Sequence, residues 1–439
     1  MTETARQRSA RKKSVLAALA IAGLALAIAA CNDDEDTSHS GTGPGEVSLD
    51  LTVADLIPLS GELQDFGPPA DKAAEIAVDQ IDDAIDEVGA DHQVTLKTED
   101  DQTSTEAGIA VARKLVGDGA TCITGSWSSA VTIAVARSVS IPDGILQISP
   151  ASTRDELNSL DDDGLVNRTV PPDSAQGPVL ADAIADDLGG ARDKTVNIGA
   201  RDDAYGNGIA GTFEDAWRSL GGKVGERVTY NPGAGAFDGP AEKITTGNPD
   251  ATVIVDFPQT FAKLAPALER TGDYDPSTTW GPDALASSSL ADDVGADLLD
   301  GIRGITPGVS DDDPPSKAFD ELYTSTDPKD IDRQTFDAQN FDAVVLCYLA
   351  AVAAGSTDGR EMADHVREIS APPGRQYTWE QLPDAIRTLQ KGKDIDYQGA
   401  SGPIDMNGTG DATAGSYDVY EYSRGRLTLV DELPLKPGE

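Results

Sequence analysis

The sequence predicts an α/β protein built from two doubly wound lobes, each a parallel sheet covered by helices on both faces. From Val47 onward, short apolar runs alternate with stretches of helical periodicity, which is the βαβ pattern of a parallel sheet. The alternation breaks at 168–172 (RTVPP) and then restarts, which indicates a second unit of the same kind. A chain of 439 residues is long enough for two or three domains.

The elements of the first unit follow from the apolar spacing. An apolar run predicts a strand over 51–59, and apolar residues three and four positions apart predict a helix over 70–85. The same two patterns then predict strands over 93–98, 121–124 and 145–149, and helices over 105–116 and 129–139. The first unit is therefore a βαβ series.

The second unit repeats the alternation. We expect helices over 175–188, 208–220 and 260–270 and strands over 195–200, 224–230 and 251–257. The later stretches 337–354 and 378–389 are predicted to be helical and have few strands of their own, so we expect this part of the chain to complete a sheet begun elsewhere. Residues 416–430 alternate like a hairpin with its turn at 423–425.

The charge balance is strongly acidic. The chain has 76 Asp and Glu against 34 Lys and Arg, a formal net charge of −42, so we expect no nucleic-acid partner. The acids are spread along the whole length, which favours a surface adapted to concentrated salt, where screening reduces the repulsion between them. We expect the melting temperature to fall as salt is removed; a melting temperature indifferent to salt would contradict this interpretation.

The N-terminus has the pattern of an export signal. Five basic residues among the first 13 precede an apolar run over 15–30, which is short for a membrane span of about 20 residues. The run ends in small residues before Cys31, and this resembles a bacterial lipoprotein signal, whose cysteine becomes acylated. We therefore expect a signal peptide over 1–30, a lipid on Cys31 and a tether over 31–47. An uncleaved membrane helix is the alternative, which the acidic residues after Cys31 disfavour.

Several enzyme classes lack their motifs. The chain has neither the G-x-x-x-x-G-K-[ST] phosphate loop nor the G-x-S-x-G elbow, and we expect no cofactor and no metal. Residues 206–211 fit G-x-G-x-x-G, but a polar stretch separates them from the strand and Glu226 lies within a strand, so we predict a flexible helix entry. Cys122 and Cys347 are predicted to be buried free thiols, without a disulfide framework or zinc site.

Two hydroxyl-rich turns follow neighbouring strands of the first unit. Residues 125–130 (GSWSSA) and 149–153 (SPAST) both bring hydroxyls and free backbone N–H groups to the start of a helical turn, an arrangement suited to an anion. Simple helix caps are the alternative interpretation. Asp283 follows a strand of the second unit and, taken alone, predicts only a solvated turn.

The order and spacing of these pieces resemble the type I periplasmic binding proteins of the branched-chain amino acid class. The similarity runs from about Leu51 to Tyr422, and its pieces lie at 59–67, 99–101, 125–129, 148–153, 203–206 and 341–344. The resemblance implies a Venus-flytrap fold whose lobes are joined by a three-strand hinge, with crossings near 169–172, 304–307 and 398–403. Lobe I would comprise 48–170 and 305–398, and lobe II 171–304 and 399–439.

The resemblance also implies a site for a zwitterion between the lobes. Ser129 and Thr153 would supply hydroxyls to the ligand carboxylate, with backbone groups of Ala151 and Thr153, while Asp283 would bind the ligand ammonium. The aromatic positions that would line the pocket are Phe66, Trp127, Tyr205, Phe257 and Phe336. Because one charge is held by each lobe, closure would depend on the ligand.

These features predict a monomeric, extracytoplasmic binding lipoprotein rather than an enzyme. It would capture an amino acid and deliver it to separate ABC permease and ATPase subunits. A sensor of the same fold for amides, urea or short-chain acids is the first alternative, in which Asp283 would be dispensable. An exported hydrolase is the second, and neither a triad nor an assignable acid pair supports it.

Overall fold

The computed structural model of the protein describes residues 47–310 and 312–435. The predicted signal peptide, Cys31 and most of the tether lie outside the described residues. Within the described ranges the chain forms two parallel-sheet lobes with helices on their faces, so the predicted fold class is confirmed.

The sheet of the first lobe has five parallel strands in the order β2-β1-β3-β4-β5. The side chains of β1 enter two different cores on the two faces of the sheet: Leu51 and Val53 pack in one, while Ala54 and Leu56 pack in the other. The elements are β1 (Leu49–Ile57), α1 (Gly67–Val88), β2 (His92–Asp100), α2 (Thr105–Gly117), β3 (Cys122–Gly125), α3 (Ser129–Val135), α4 (Ile141–Asp143), β4 (Leu146–Ser149) and β5 (Val166–Arg168).

The sheet of the second lobe has seven strands in the order β15-β14-β10-β9-β8-β6-β7, and β14 alone runs antiparallel to its neighbours, β10 and β15. Its first elements are α5 (Asp173–Asp187), β6 (Thr195–Arg201), α6 (Ala204–Ser219), β7 (Lys223–Tyr230), α7 (Asp238–Ile244), β8 (Ala251–Val255), α8 (Pro258–Thr271), β9 (Thr279–Gly281), α9 (Leu290–Val294), α10 (Ala296–Leu299) and β10 (Arg303–Gly308). The hairpin that closes the chain is β14 (Ser416–Ser423) and β15 (Arg426–Pro434).

The segment between the two parts of the second sheet returns to the first lobe. It contains α11 (Pro314–Ser325), α12 (Asp337–Ala354), α13 (Gly359–Val366), β11 (Arg375–Thr378), α14 (Leu382–Leu389), β12 (Ile395–Gly399) and β13 (Gly402–Pro403). The expectation that it completes another sheet is wrong: α12 covers β1, β3 and β4, and the three strands form a small sheet of their own. No single helix of the described ranges is long and apolar enough to cross a membrane; α12 and α13 pass such a test only together, bent by 102°.

Strand pairing bears on two of the predicted lobe limits. Residues 304–307, predicted only as a crossing, belong to β10 inside the second sheet, where a Cβ at Gly304 would stand 2.1 Å from the carbonyl oxygen of Gly281. Further on, Ile404, Met406 and Ala412 pack in the core of the first lobe. The pairing therefore favours crossings of the chain between the lobes after Gly308 and near 415. The predicted limit of lobe I at residue 170 falls between β5 and α5.

Cys122 and Cys347 form a disulfide, so the prediction of two free thiols is wrong. Because α12 packs on β3, the two Cα atoms stand 6.1 Å apart, within the range that a disulfide spans, although 225 residues separate them in sequence. Both side chains are fully buried. Neither cysteine has a sequence neighbour that reveals this proximity, which depends on the packing of two distant elements.

The G-x-G-x-x-G stretch is a helix entry, but a tightly packed one. Asp203 caps α6 by accepting a hydrogen bond from Gly206 N at 2.9 Å. A Cβ at Gly208 would lie 1.9 Å from Asp173 Oδ2, so glycine permits α5 and α6 to approach closely. Glu226 lies within β7, as expected.

Candidate ligand site between the lobes

The two hydroxyl-rich turns of the first lobe are joined through one backbone carbonyl. Ser126 O accepts hydrogen bonds from Ser149 Oγ at 2.6 Å and from Thr132 Oγ1 at 2.8 Å. Ser152 Oγ adds a bond to Trp127 O at 3.1 Å. These hydroxyls therefore hold β3, β4 and the start of α3 together.

The two predicted hydroxyl ligands are buried in these turns. Ser129 Oγ accepts a weak hydrogen bond from Arg154 N at 3.4 Å. Thr153 Oγ1 lies near the Asp173 carboxylate and partly opposes the rise in the pKa of Asp173 that burial causes. The Thr153 hydroxyl is buried without a hydrogen-bond partner of normal geometry among the described residues.

Asp283 stands at the end of β9 on the second lobe and is buried. Its Oδ1 accepts hydrogen bonds from Tyr205 Oη at 2.6 Å and from Ala284 N at 2.7 Å, while Oδ2 has no partner among the described residues. Burial raises the pKa of Asp283 to about 6, although the Tyr205 hydroxyl partly offsets this effect. A buried carboxylate with one free oxygen is suited to a cation or a hydrogen-bond donor.

Aromatic rings from both lobes enclose a small space beside Asp283. The centroids of Phe66 and Trp127 are 6.1 Å apart, and Phe336 meets Trp127 edge-on at 5.8 Å. On the other lobe Tyr205 packs on Phe257 at 4.9 Å. The volume in which the centre of a water molecule can lie is about 10 Å³, so the space holds about one water molecule. A ligand as large as an amino acid therefore requires the walls to move apart.

The structure brings most of the predicted site residues together. The space is lined by Leu63, Phe66, Trp127, Ala151, Tyr205, Phe257, Asp283, Ala284 and Phe336. Ser129 and Thr153 do not line it, although they belong to the same turns as Trp127 and Ala151. Leu63 and Ala284 are additions, and their apolar side chains carry no signal that separates them from ordinary core residues.

Asp173 and Gln176 are polar neighbours that the sequence prediction missed. Both are fully buried at the start of α5, and neither side chain makes a hydrogen bond of normal geometry to a described residue. Burial raises the pKa of Asp173 to about 7, with Thr153 and Arg168 opposing the shift. Their position directly after the predicted crossing at 169–172 is the signal that could have indicated them.

A loop of the first lobe reaches across to the second lobe. Glu62, between β1 and α1, pairs with Arg201 at the end of β6 and accepts a hydrogen bond from Thr260 Oγ1 at 2.7 Å. The Arg201 guanidinium lies 3.6 Å from the centre of the Phe257 ring, so the same cation also supports one wall of the space. Ser287 Oγ donates a further bond to Asp65 at 3.1 Å. We call Glu62, Arg201 and Thr260 the latch.

Replacing Glu62 by Gln should weaken the closed arrangement of the lobes. The change removes a partly buried, charge-assisted contact between the lobes. We expect the loss to be only about 1–2 kcal/mol, because Arg201 keeps Asp203 and Asp256 as partners. We expect the ligand dissociation rate to rise about 5- to 30-fold in stopped-flow fluorescence. Glu75→Gln, an exposed position on α1, is the matched control. Equal dissociation rates for the two variants would contradict the latch.

Comparisons with known proteins agree with this architecture. The model of a family described as periplasmic binding protein matches residues 50–426. The Leu/Ile/Val-binding protein BraC3 of Rhizobium johnstonii is 26% identical over 388 residues, covering 87% of this chain and 94% of that protein. A substrate-binding protein of a chemotactic signal transduction system, BasB of Halobacterium salinarum, is 25% identical over 361 residues, covering 81% of this chain and 83% of BasB.

A solved structure has the same fold. The branched-chain amino acid transporter substrate-binding protein LivJ of Streptococcus pneumoniae, in complex with isoleucine, superimposes with a TM-score of 0.70 at 20% identity, covering 88% of this chain and 100% of LivJ. The family match spans every residue that lines the space between the lobes and the strands of both sheets except most of β15. Because this match extends over most of the chain, the chain belongs to the periplasmic binding protein family.

Proposed function

We propose that this protein binds a small zwitterion, an amino acid of the branched-chain or a related class, between its two lobes. The observation that carries the proposal is Asp283, a buried carboxylate with one unpaired oxygen. It lines the aromatic space that the hydroxyl-rich turns adjoin. The names of BraC3 and of the isoleucine-bound LivJ support the same ligand class.

The chemistry of the two walls fits the two ends of such a ligand. Asp283 Oδ2 would accept the ammonium, whose charge offsets the cost of burying the carboxylate. The carboxylate would meet Thr153 Oγ1 and the backbone of Ala151, with the backbone groups at the start of α3 adding the positive end of the helix dipole. The side chain would contact Phe66, Trp127 and Phe336, whose rings supply an apolar surface.

A ligand screen tests the proposal. Thermal-shift measurements with amino acids, amides and short-chain acids, followed by calorimetry on the hits, should give the highest affinity for aliphatic amino acids. Binding confined to neutral amides would contradict the zwitterion site. A protein that binds none of the three classes would contradict the proposed function altogether.

Affinity should depend on pH through Asp283. The ammonium requires the ionised carboxylate, and burial raises the pKa of Asp283 to about 6, so affinity is complete above that pH and falls about tenfold per pH unit below it. Calorimetry between pH 4.5 and 8 should show the step near 6 in the native protein and not in Asp283→Asn.

We further propose that the protein acts outside the cytoplasmic membrane, where the periplasmic binding family works. Its N-terminal pattern supports a lipid anchor on Cys31, and ABC permease and ATPase subunits would receive the ligand from a monomeric protein. Mass spectrometry of the mature N-terminus tests the anchor: an acylated Cys31 supports it, and an unmodified cysteine or an uncleaved signal contradicts it.

A sensor role is the second candidate, and the similarity to BasB favours it. In that case the closed protein would bind a signal transducer rather than a permease. Deletion of the gene separates the two roles: loss of ligand uptake supports the transport role, whereas intact uptake with lost behavioural response to the ligand supports the sensor.

A further inference from the structure

A second and much larger cavity, partly open to solvent, shares one wall residue with the candidate site. It has a volume of about 440 Å³, within the usual range of ligand pockets, whereas the space beside Asp283 holds about one water. Its lining includes Pro307 and Gly308 of β10 and Lys317 and Asp320 of α11. Phe336 lines both this cavity and the space beside Asp283.

Phe336 is a buried residue, 5% exposed, that packs with Phe66 and Trp127 and forms a partition between the two spaces. Its backbone is left-handed, with φ 74°, a conformation that bulky residues rarely adopt. Its neighbour Thr335 donates a hydrogen bond to Ala286 O at 3.1 Å, which ties this loop to the second lobe. The Phe336 ring meets the rings of Phe66 and Trp127 edge-on, with centroid distances of 6.1 and 5.8 Å. It therefore stands between the two spaces.

The larger cavity also has a chemical preference. Four acids, Asp313, Asp320, Asp337 and Asp418, and two bases, Lys317 and Arg333, line it, so the lining carries a formal charge of 2 − 4 = −2. Arg333 is already paired with Asp320 and Asp337. Asp337 is 1% exposed, and its Oδ1 has no hydrogen-bond partner among the described residues. A cation or a hydrogen-bond donor is therefore the complementary group.

We infer that Phe336 is a gate between the amino acid pocket and this cavity, and that the gate admits amino acids with a long side chain ending in a cationic donor. This inference rests on the proposed function, because the α-ammonium of the ligand would stay at Asp283 and its α-carboxylate at the hydroxyl-rich turns. A short side chain stops at the Phe336 ring. A longer one displaces the ring and brings its terminal ammonium toward Asp337, so Phe336 determines the ligand length that the protein accepts.

Calorimetry with leucine, norleucine and lysine tests the gate, because lysine has the reach of norleucine plus a terminal ammonium. Phe336→Ala, and Phe336→Gly, which also suits the left-handed backbone, should raise the affinity for lysine relative to leucine at least tenfold. Phe66→Ala removes an equal ring from the same pocket without opening it to the second cavity, and should change that ratio less than threefold. Melting temperatures confirm that each variant is folded.

The outcomes separate the two claims. An equal change in the Phe336 and Phe66 variants would overturn the gate, and a gain for norleucine as large as that for lysine would overturn the cationic preference. If the native protein binds no amino acid, the proposed function fails, and a crystal structure of Phe336→Gly then decides the gate. One continuous cavity in that structure supports the gate, and two separate cavities overturn it.

Discussion

Asp283→Asn should weaken amino acid binding about 100- to 1000-fold, which corresponds to about 3–4 kcal/mol. The native carboxylate is buried, and its free Oδ2 is the acceptor that we assign to the ligand ammonium. The Asn side chain has the same shape and can still accept from Tyr205, so the change removes the charge while preserving the wall. Isothermal calorimetry with leucine measures the loss.

Asp292→Asn is the matched control for this experiment. Asp292 is an exposed acid of α9 on the same lobe, so its replacement changes the net charge equally without touching the space between the lobes. We expect its dissociation constant to stay within twofold of the native value. An Asp283→Asn protein that binds leucine as tightly as the control would contradict the assignment of Asp283 and favour a site for neutral ligands.

Loss of the disulfide between Cys122 and Cys347 should lower the free energy of unfolding by about 3–5 kcal/mol. The bond closes a loop of 225 residues, and it links the central sheet of the first lobe to α12, the most deeply buried helix of that lobe. Urea denaturation of the double variant Cys122→Ala and Cys347→Ala measures the loss, after allowance for two small buried side chains.

Chemical reduction of the native protein provides the control, because it breaks the same bond without changing the sequence. The reduced protein and the double variant should unfold at similar urea concentrations. Thiol titration establishes that reduction is complete. A fully reduced protein with an unchanged unfolding midpoint would contradict a stabilising role for the bond.

The sequence was most informative where burial and periodicity agree. The predicted helix over 337–354 has the observed limits of α12, because most of its residues are apolar, nearly all are buried, and Gly355 ends it in a left-handed conformation. By contrast, β10 was missed as a strand, since Gly304, Pro307 and Gly308 are residues that strands usually avoid. Gly304 is required there by the close approach of Gly281, which only the folded sheet reveals.

The sequence predicted part of the candidate site, as it predicted part of the fold. The turns and Asp283 stand at strand ends, where parallel sheets place ligand sites, and the resemblance supplied the aromatic positions. The latch, Asp173 and the disulfide depend on contacts between residues far apart in sequence, such as Glu62 with Arg201 at a separation of 139. A local pattern carries no information on such pairs when acids are as frequent as they are in this chain.

The most direct test of the zwitterion site is a crystal structure of the protein grown with leucine. The account predicts density between the lobes, with the ligand ammonium within hydrogen-bond distance of Asp283 Oδ2 and its carboxylate at Thr153 and the backbone of Ala151. Leucine bound in the reverse orientation, or bound elsewhere with the Asp283 carboxylate untouched, would contradict the account.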